Sequence, residues 1–228
     1  MKKSFLLTTL MILVLGLTGN AQDCTLYFPA DEGTVLEIEH FERKGKLTGS
    51  TLQKIVHKET SGSSMFWTVQ NTIEDDKGEE LMDTEITFEC RDGVFYFDMN
   101  NYLSGESMAA FESMEFRIEG DNLELPPGMK AGDVLKDGQI RMIIEQMPAL
   151  NTTTTIMNRT VEAVENITTG AGTYECFKIS YDIETKAMMT FRAKGTEWIA
   201  IDVGVVRSES YNKNGKLTGY SELARLEK

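Results

Sequence analysis

The chain predicts an all-β protein with one short helix, built as a curved antiparallel meander, half-barrel or barrel of roughly ten strands. Three observations carry this. Apolar and polar side chains alternate with a period of two over most of its length. The alternating runs are punctuated by short Gly-containing turns. No linker rich in Pro, Gly or Ser divides the chain after its first residues.

The elements follow in order. Residues 34–42 place Leu36, Ile38 and His40 on one face against Glu37 and Glu39, and ERKGKLTG turns the chain into a returning run over 51–58. Met65, Trp67, Val69 and Ile73 share a side of the next run. After the polar turn DDKGEE, Met82, Ile86, Phe88 and Cys90 share a side of the one after. Arg91-Asp92-Gly93 is a tight turn into 94–99. Helical spacing of Met108, Phe111 and Ala110 or Met114, with Ser104 or Ser107 as N-cap, predicts the short helix over 104–114.

Pro126 and Pro127 lack backbone donors and place 125–128 in a loop or at a sheet edge. Strands resume at 140–145 and 152–168, the second long enough to require curvature or a bulge. A turn at 169–172 leads to 173–184. Runs 188–194 and 196–201 are expected to pair about Gly195, and Gly204 marks a bend. GKLTG occurs twice, as FERKGKLTG ending at Gly49 and YNKNGKLTG ending at Gly219. The repeated turn chemistry explains the echo more simply than duplication, and both copies mark hairpins.

Lys2 and Lys3, the apolar run 5–17 and the small residues Gly19 and Ala21 form a signal peptide, with cleavage between Ala21 and Gln22. The domain organisation is thus a signal peptide over 1–21 and a single domain over 22–228. The apolar run is shorter than the roughly 20 residues a membrane span needs. Gln22 and Asp23 precede Cys24 where lipidation wants small residues, so released export to the periplasm or beyond is expected rather than a lipid anchor. Cleavage leaves 21 Lys and Arg against 36 Asp and Glu, a charge of −15. Such a surface repels nucleic acid phosphates and anionic lipid headgroups, which argues against both as partners. Three cysteines in an oxidising compartment imply one disulfide and one free thiol. Three pairings are open; Cys24–Cys90 is preferred because it staples the free end to a strand.

Catalytic equipment is sparse. His40 and His57 flank the first GKLTG turn and would approach if their strands pair, but two imidazoles alone make a poor zinc site. No GxSxG elbow, phosphate-binding glycine loop or EF-hand spacing occurs. Cys176 occupies a strand position without the helix N-terminus that would activate it. No cofactor or metal is expected, and the chain reads as a non-enzymatic protein. Eleven methionines remain after cleavage, and Trp67, Met142, Met188 and Trp198 are candidate core or concave-face residues. Two functions follow: a protein-interaction module, or a carrier holding an apolar, lipid-like ligand in the concavity of the sheet. A hydrolase is a third and lesser reading, requiring a histidine to meet a carboxylate and a nucleophile.

The blocks DCTLYFPADEGTVLEIEH, TFECRDGVFYFDM, EGDNLELPPGMKAGDVLKDG, ITTGAGTYECFKISYDIE and TEWIAIDVGVVRSESYNKNGKLTGYSEL occur in this order. Together they resemble the TapB-like family of Bacteroidetes envelope proteins, itself related to a domain-of-unknown-function family of Gram-negative envelopes. The resemblance implies an exported β protein similar to lipoprotein-carrier folds, and a periplasmic partner of tetratricopeptide-repeat type. It carries no catalytic motif.

Overall fold

The computed structural model describes residues 24–97 and 116–228. The signal peptide with its Ala21–Gln22 cleavage site, and the helix expected over 104–114, lie outside the described residues. Among the described residues thirteen strands form one antiparallel sheet: β1 (Val35–Glu42), β2 (Leu47–Ser61), β3 (Ser64–Asp75), β4 (Glu80–Arg91), β5 (Val94–Phe97), β6 (Phe116–Gly120), β7 (Leu123–Leu125), β8 (Gly138–Ile144), β9 (Thr152–Thr169), β10 (Gly172–Lys186), β11 (Thr190–Ala200), β12 (Gly204–Asn212) and β13 (Leu217–Glu227). A 3-10 turn, Pro148–Leu150, is the helical element among the described residues.

The spatial order is β6-β8-β9-β10-β11-β12-β13-β1-β2-β3-β4-β5-β7. It is a meander whose first and last strands pair in mid-sheet, Glu37 opposite Arg225 and His40 opposite Ser221. The two edges, β6 and β7, are consecutive in the chain and separated by Asp121 and Asn122 alone. The chain therefore steps directly from one edge of the curved sheet to the other, and the sheet is not closed.

The strand count exceeds the expected ten because β6 and β7, of five and three residues, are too short to show alternation. In the other direction, residues 188–201 are not two strands: β11 runs straight through Gly195. Long β9 is bulged as anticipated, with register shifts opposite Lys178/Ile179 and Ser180/Asp182. Asn158 takes φ +56° there. Beside it the guanidinium of Arg159 turns inward, donating to the carbonyls of Glu124 at 3.1 Å and Lys136 at 2.7 Å.

The core fills the concave side. Ile55, Trp67, Val69, Phe95, Leu36 and Leu223 are among its most deeply buried members. The segment before β1 plugs it. Cys24 is disulfide-bonded to Cys90, with Cα atoms 6.4 Å apart, and Phe28 packs on Phe88 with ring centroids 4.4 Å apart. Tyr27 is fully buried and donates its hydroxyl to the Pro126 carbonyl at 2.8 Å; burial pushes its pKa up to about 12. A smaller cluster of Leu123, Ile140 and Ile156 packs against Tyr181.

The two GKLTG turns adopt one geometry. Glu42 and Asn212 each donate a backbone N–H at 2.9 Å to Lys46 and Lys216. Gly45 and Gly215 take φ +81° and +76°, the left-handed residue that ends a type I turn in this hairpin class. Thr48 and Thr218 hydroxyls donate to the carbonyls of His40 and Ser210. Because β13 pairs with β1, the two turns are neighbours at one end of the sheet.

Candidate functional site

Strand register assembles a polar face on β9–β12. Thr160, Ser180, Thr196 and Glu209 stand opposite one another in one row, and Asp182, Lys194 and Tyr211 in the next. Rows two residues apart share a face, and Thr160, Ser180, Thr196, Asp182, Lys194 and Tyr211 line an open groove of about 390 Å³ together with Asn158 and Glu162. Its polar groups are organised. Asn158 donates its amide to Asp182 at 2.9 Å, and the Lys194 ammonium lies 3.1 Å from the same carboxylate. The hydrogen bond from Asn158, with Lys194 beside it, holds the Asp182 carboxyl below the usual range.

Tyr211 donates to Glu209, as does Arg207, and Ser180 donates to Glu162. Burial pushes Glu209 up, but the hydrogen bonds from Tyr211 and Arg207 outweigh it and hold the carboxyl low. Burial and the Glu209 carboxylate together push the Tyr211 phenol up to about 12.

Gly195 explains why the groove has a thin floor. Directly opposite Tyr181 in register, it carries no side chain, and a Cβ there would lie 2.4 Å from the Tyr181 ring. That ring crosses the inner face and donates its hydroxyl to Glu197 at 2.8 Å. The glycine read as a turn in the sequence is therefore a packing position in mid-strand.

The residues singled out from the sequence fall in different places. Cys24 and Cys90 are joined, and Cys176 is a buried free thiol whose pKa burial, and then Glu165, push up to about 11. Trp67 and Met142 are core residues. Trp198 is buried in the main core cluster, as expected; Lys178 and Arg207 lie over its ring at 5.3 and 5.9 Å, and its N–H donates to Glu165 at 2.7 Å. Met188 lines no concavity; it is 78% exposed at the β10–β11 tip.

The histidines do not meet. His40 lies opposite Gly49, eight residues along β2 from His57, a separation of about 25 Å at the rise of a strand. The His40 Nε2 is 2.7 Å from the Thr51 hydroxyl, and burial holds the ring's pKa below its ordinary value. Exposed His57 stands near Glu32 and Glu59. His40, Ser221 and Ser208 share one row, with the two serine hydroxyls 2.6 Å apart, but no carboxylate orients the imidazole among the described residues. Among those residues no group of three His, Cys, Asp or Glu is arranged to hold a metal ion.

The groove was not identified in the sequence. Its residues come from four strands and share a surface only through a register set by two bulges. Alternation of small polar and charged residues in SYDIE and RAKGTE was the available signal.

Two solved structures resemble the chain over 90% of its length and the whole of theirs. One, from Bacteroides fragilis NCTC 9343, is provisionally described as an exported protein with a YmcC-like fold and shares 26% identity, with a TM-score of 0.74. The other, from Parabacteroides distasonis ATCC 8503, is provisionally described as a lipoprotein and shares 27% identity, with a TM-score of 0.77. No curated protein matches the chain at a significant level. The family described as DUF3108-like matches residues 31–223. With this match spanning most of the sheet, from the residues before β1 into β13, the chain belongs to the DUF3108-like family.

Proposed function

We propose that the protein is an exported, non-enzymatic envelope protein that acts by binding a protein partner, with the β9–β12 groove taking a polypeptide segment of that partner. The observation that carries this reading is the groove itself: open, and lined by alternating donors and acceptors held by one another. Such a surface suits the amides and carbonyls of an extended chain. An apolar carrier needs a deep pocket lined by aromatic and Met side chains, whereas the described concave side is packed by Trp67, Phe95 and the Tyr27–Phe28 plug. The TapB-like resemblance supplies a tetratricopeptide-repeat protein as the partner type. The Cys24–Cys90 bond favours release over a lipid anchor, because the thiol that lipidation would modify is already used.

The test is affinity capture from the envelope fraction with native mass spectrometry of the purified protein. Wild type should retain a stoichiometric protein that Lys194→Glu, folded by circular dichroism, releases. Stoichiometric lipid on the purified protein, or a partner held undiminished by the variant, overturns the reading.

A further inference from the structure

Strand directions put the β10–β11, β12–β13 and β1–β2 tips side by side on one rim, at the end of the sheet opposite the Cys24–Cys90 bond. Adjacent tips are two strands apart, about 10 Å. The β12–β13 and β1–β2 turns carry Arg43, Lys44, Lys46, Lys213 and Lys216, all exposed, against Glu42 as their one carboxylate. None of the five forms an ion pair among the described residues. That contrasts with Arg207, Arg225 and Lys194 on the same sheet, which all lie against carboxylates. The neighbouring β10–β11 tip exposes Met188, Met189 and Phe191 at 78, 66 and 57%. The chain is acidic overall, so this concentration of unpaired cations beside unburied apolar side chains is a local reversal of its charge.

We infer that this rim docks on an anionic phospholipid surface, the twin basic turns meeting phosphate headgroups while Met188, Met189 and Phe191 enter the interfacial layer. Each half needs the other. Flexible apolar side chains at a loop tip give area but no preference for charge, and exposed cations attract anionic headgroups only within a Debye length. The β3–β4 tip, with Asp75, Asp76, Glu79 and Glu80, continues the same rim and is acidic. Contact is therefore confined to the half of the rim from β10 to β2, with the other half tilted away. No helix among the described residues is long and apolar enough to cross a membrane, so the association is with the surface. Apart from Gly215, which lies between Lys213 and Lys216 and also lines the β9–β12 groove, it uses residues that do not line the groove, and its failure would leave the protein-partner reading standing.

The experiment is co-sedimentation with phosphatidylcholine vesicles, with and without about 30 mol% phosphatidylglycerol, at low salt and at about 0.5 M salt. Wild type should partition at least about ten-fold more onto the anionic vesicles, and salt should abolish the difference. Lys44→Glu/Lys46→Glu/Lys213→Glu/Lys216→Glu should remove it. Phe191→Trp supplies an independent reading: its emission should shift to the blue on anionic vesicles and be quenched by brominated acyl chains. Equal partition onto both vesicle types, a quadruple variant that still binds, or an unquenched tryptophan overturns the proposal. Binding to soluble polyglutamate with none to vesicles overturns it in favour of an acidic protein surface.

Discussion

Phe41 of β1 and Tyr220 of β13 lie opposite each other and stack, with ring centroids 4.9 Å apart and 17° between their planes. The Arg207 guanidinium lies 4.9 Å from the same tyrosine ring. The contact sits where the two ends of the chain meet, directly beneath the twin turns. Phe41→Ala and Tyr220→Ala should be non-additive in urea denaturation, with a coupling of about 0.5–1.5 kcal/mol. Additive losses would show that the seam is held by its ladder alone.

Gly195→Ala should destabilise the fold by about 1–3 kcal/mol, because its Cβ would enter the Tyr181 ring in a packed interior. Tyr181→Ala opens that space. The loss from Gly195→Ala should therefore shrink in the Tyr181→Ala background, as read from thermal unfolding of the four proteins. An undiminished loss would place the cost in the strand backbone instead.

The disulfide closes a separation of 66 residues. Restriction of the unfolded chain by a loop of that size is worth about 4 kcal/mol in the chain-entropy treatment. Cys24→Ser/Cys90→Ser should lower stability by an amount of that order and loosen the Tyr27–Phe28 plug first. Limited proteolysis before β1 checks the second point. In the native wild type, buried Cys176 should resist thiol reagents until denaturant is added.

His40 links stability to pH. Burial depresses its folded-state pKa below the ordinary 6.5. Above that pH the ring is neutral in both states and contributes nothing. As pH falls through 6.5 the unfolded chain takes up a proton that the folded chain refuses, and stability declines until the folded pKa is reached. His40→Asn should flatten the stability curve in this window, leaving the loss at lower pH, where the Asp182 and Glu184 carboxylates that their partners hold ionised take up protons. Urea midpoints between pH 7.5 and 5 measure it.

Most strands were legible because their apolar positions pack on the core, as Leu36 in β1, Trp67 and Val69 in β3 and Ile156 and Val161 in β9 do. The β10–β11 hairpin was not. Its tip, Ala187-Met188-Met189, contains no Gly, Pro, Asn or Asp, and the obvious glycine lies six residues further on. Reading Gly195 as the turn placed Met188 in a strand and gave it a concave position. Trp198 was legible as a core residue. The groove was not legible, because its rows exist only once four strands are in register. The Cys24–Cys90 pairing was one of three left open by the sequence, preferred because it could staple the free end to a strand, and it is the pair that is bonded.

The placement of β13 beside β1 has a kinetic meaning. Glu37 and Arg225, 188 residues apart in the chain, form a salt bridge in the middle of the sheet. A polypeptide emerging N-terminus first, from a ribosome or through a translocation pore, presents β1 with one edge unpaired until β13 appears. The sheet cannot be completed strand by strand in the order of emergence, and its two halves must wait for each other. Loss of β13 would divide the sheet at its centre rather than fray an edge, so a product lacking it should be degraded as an unfolded chain.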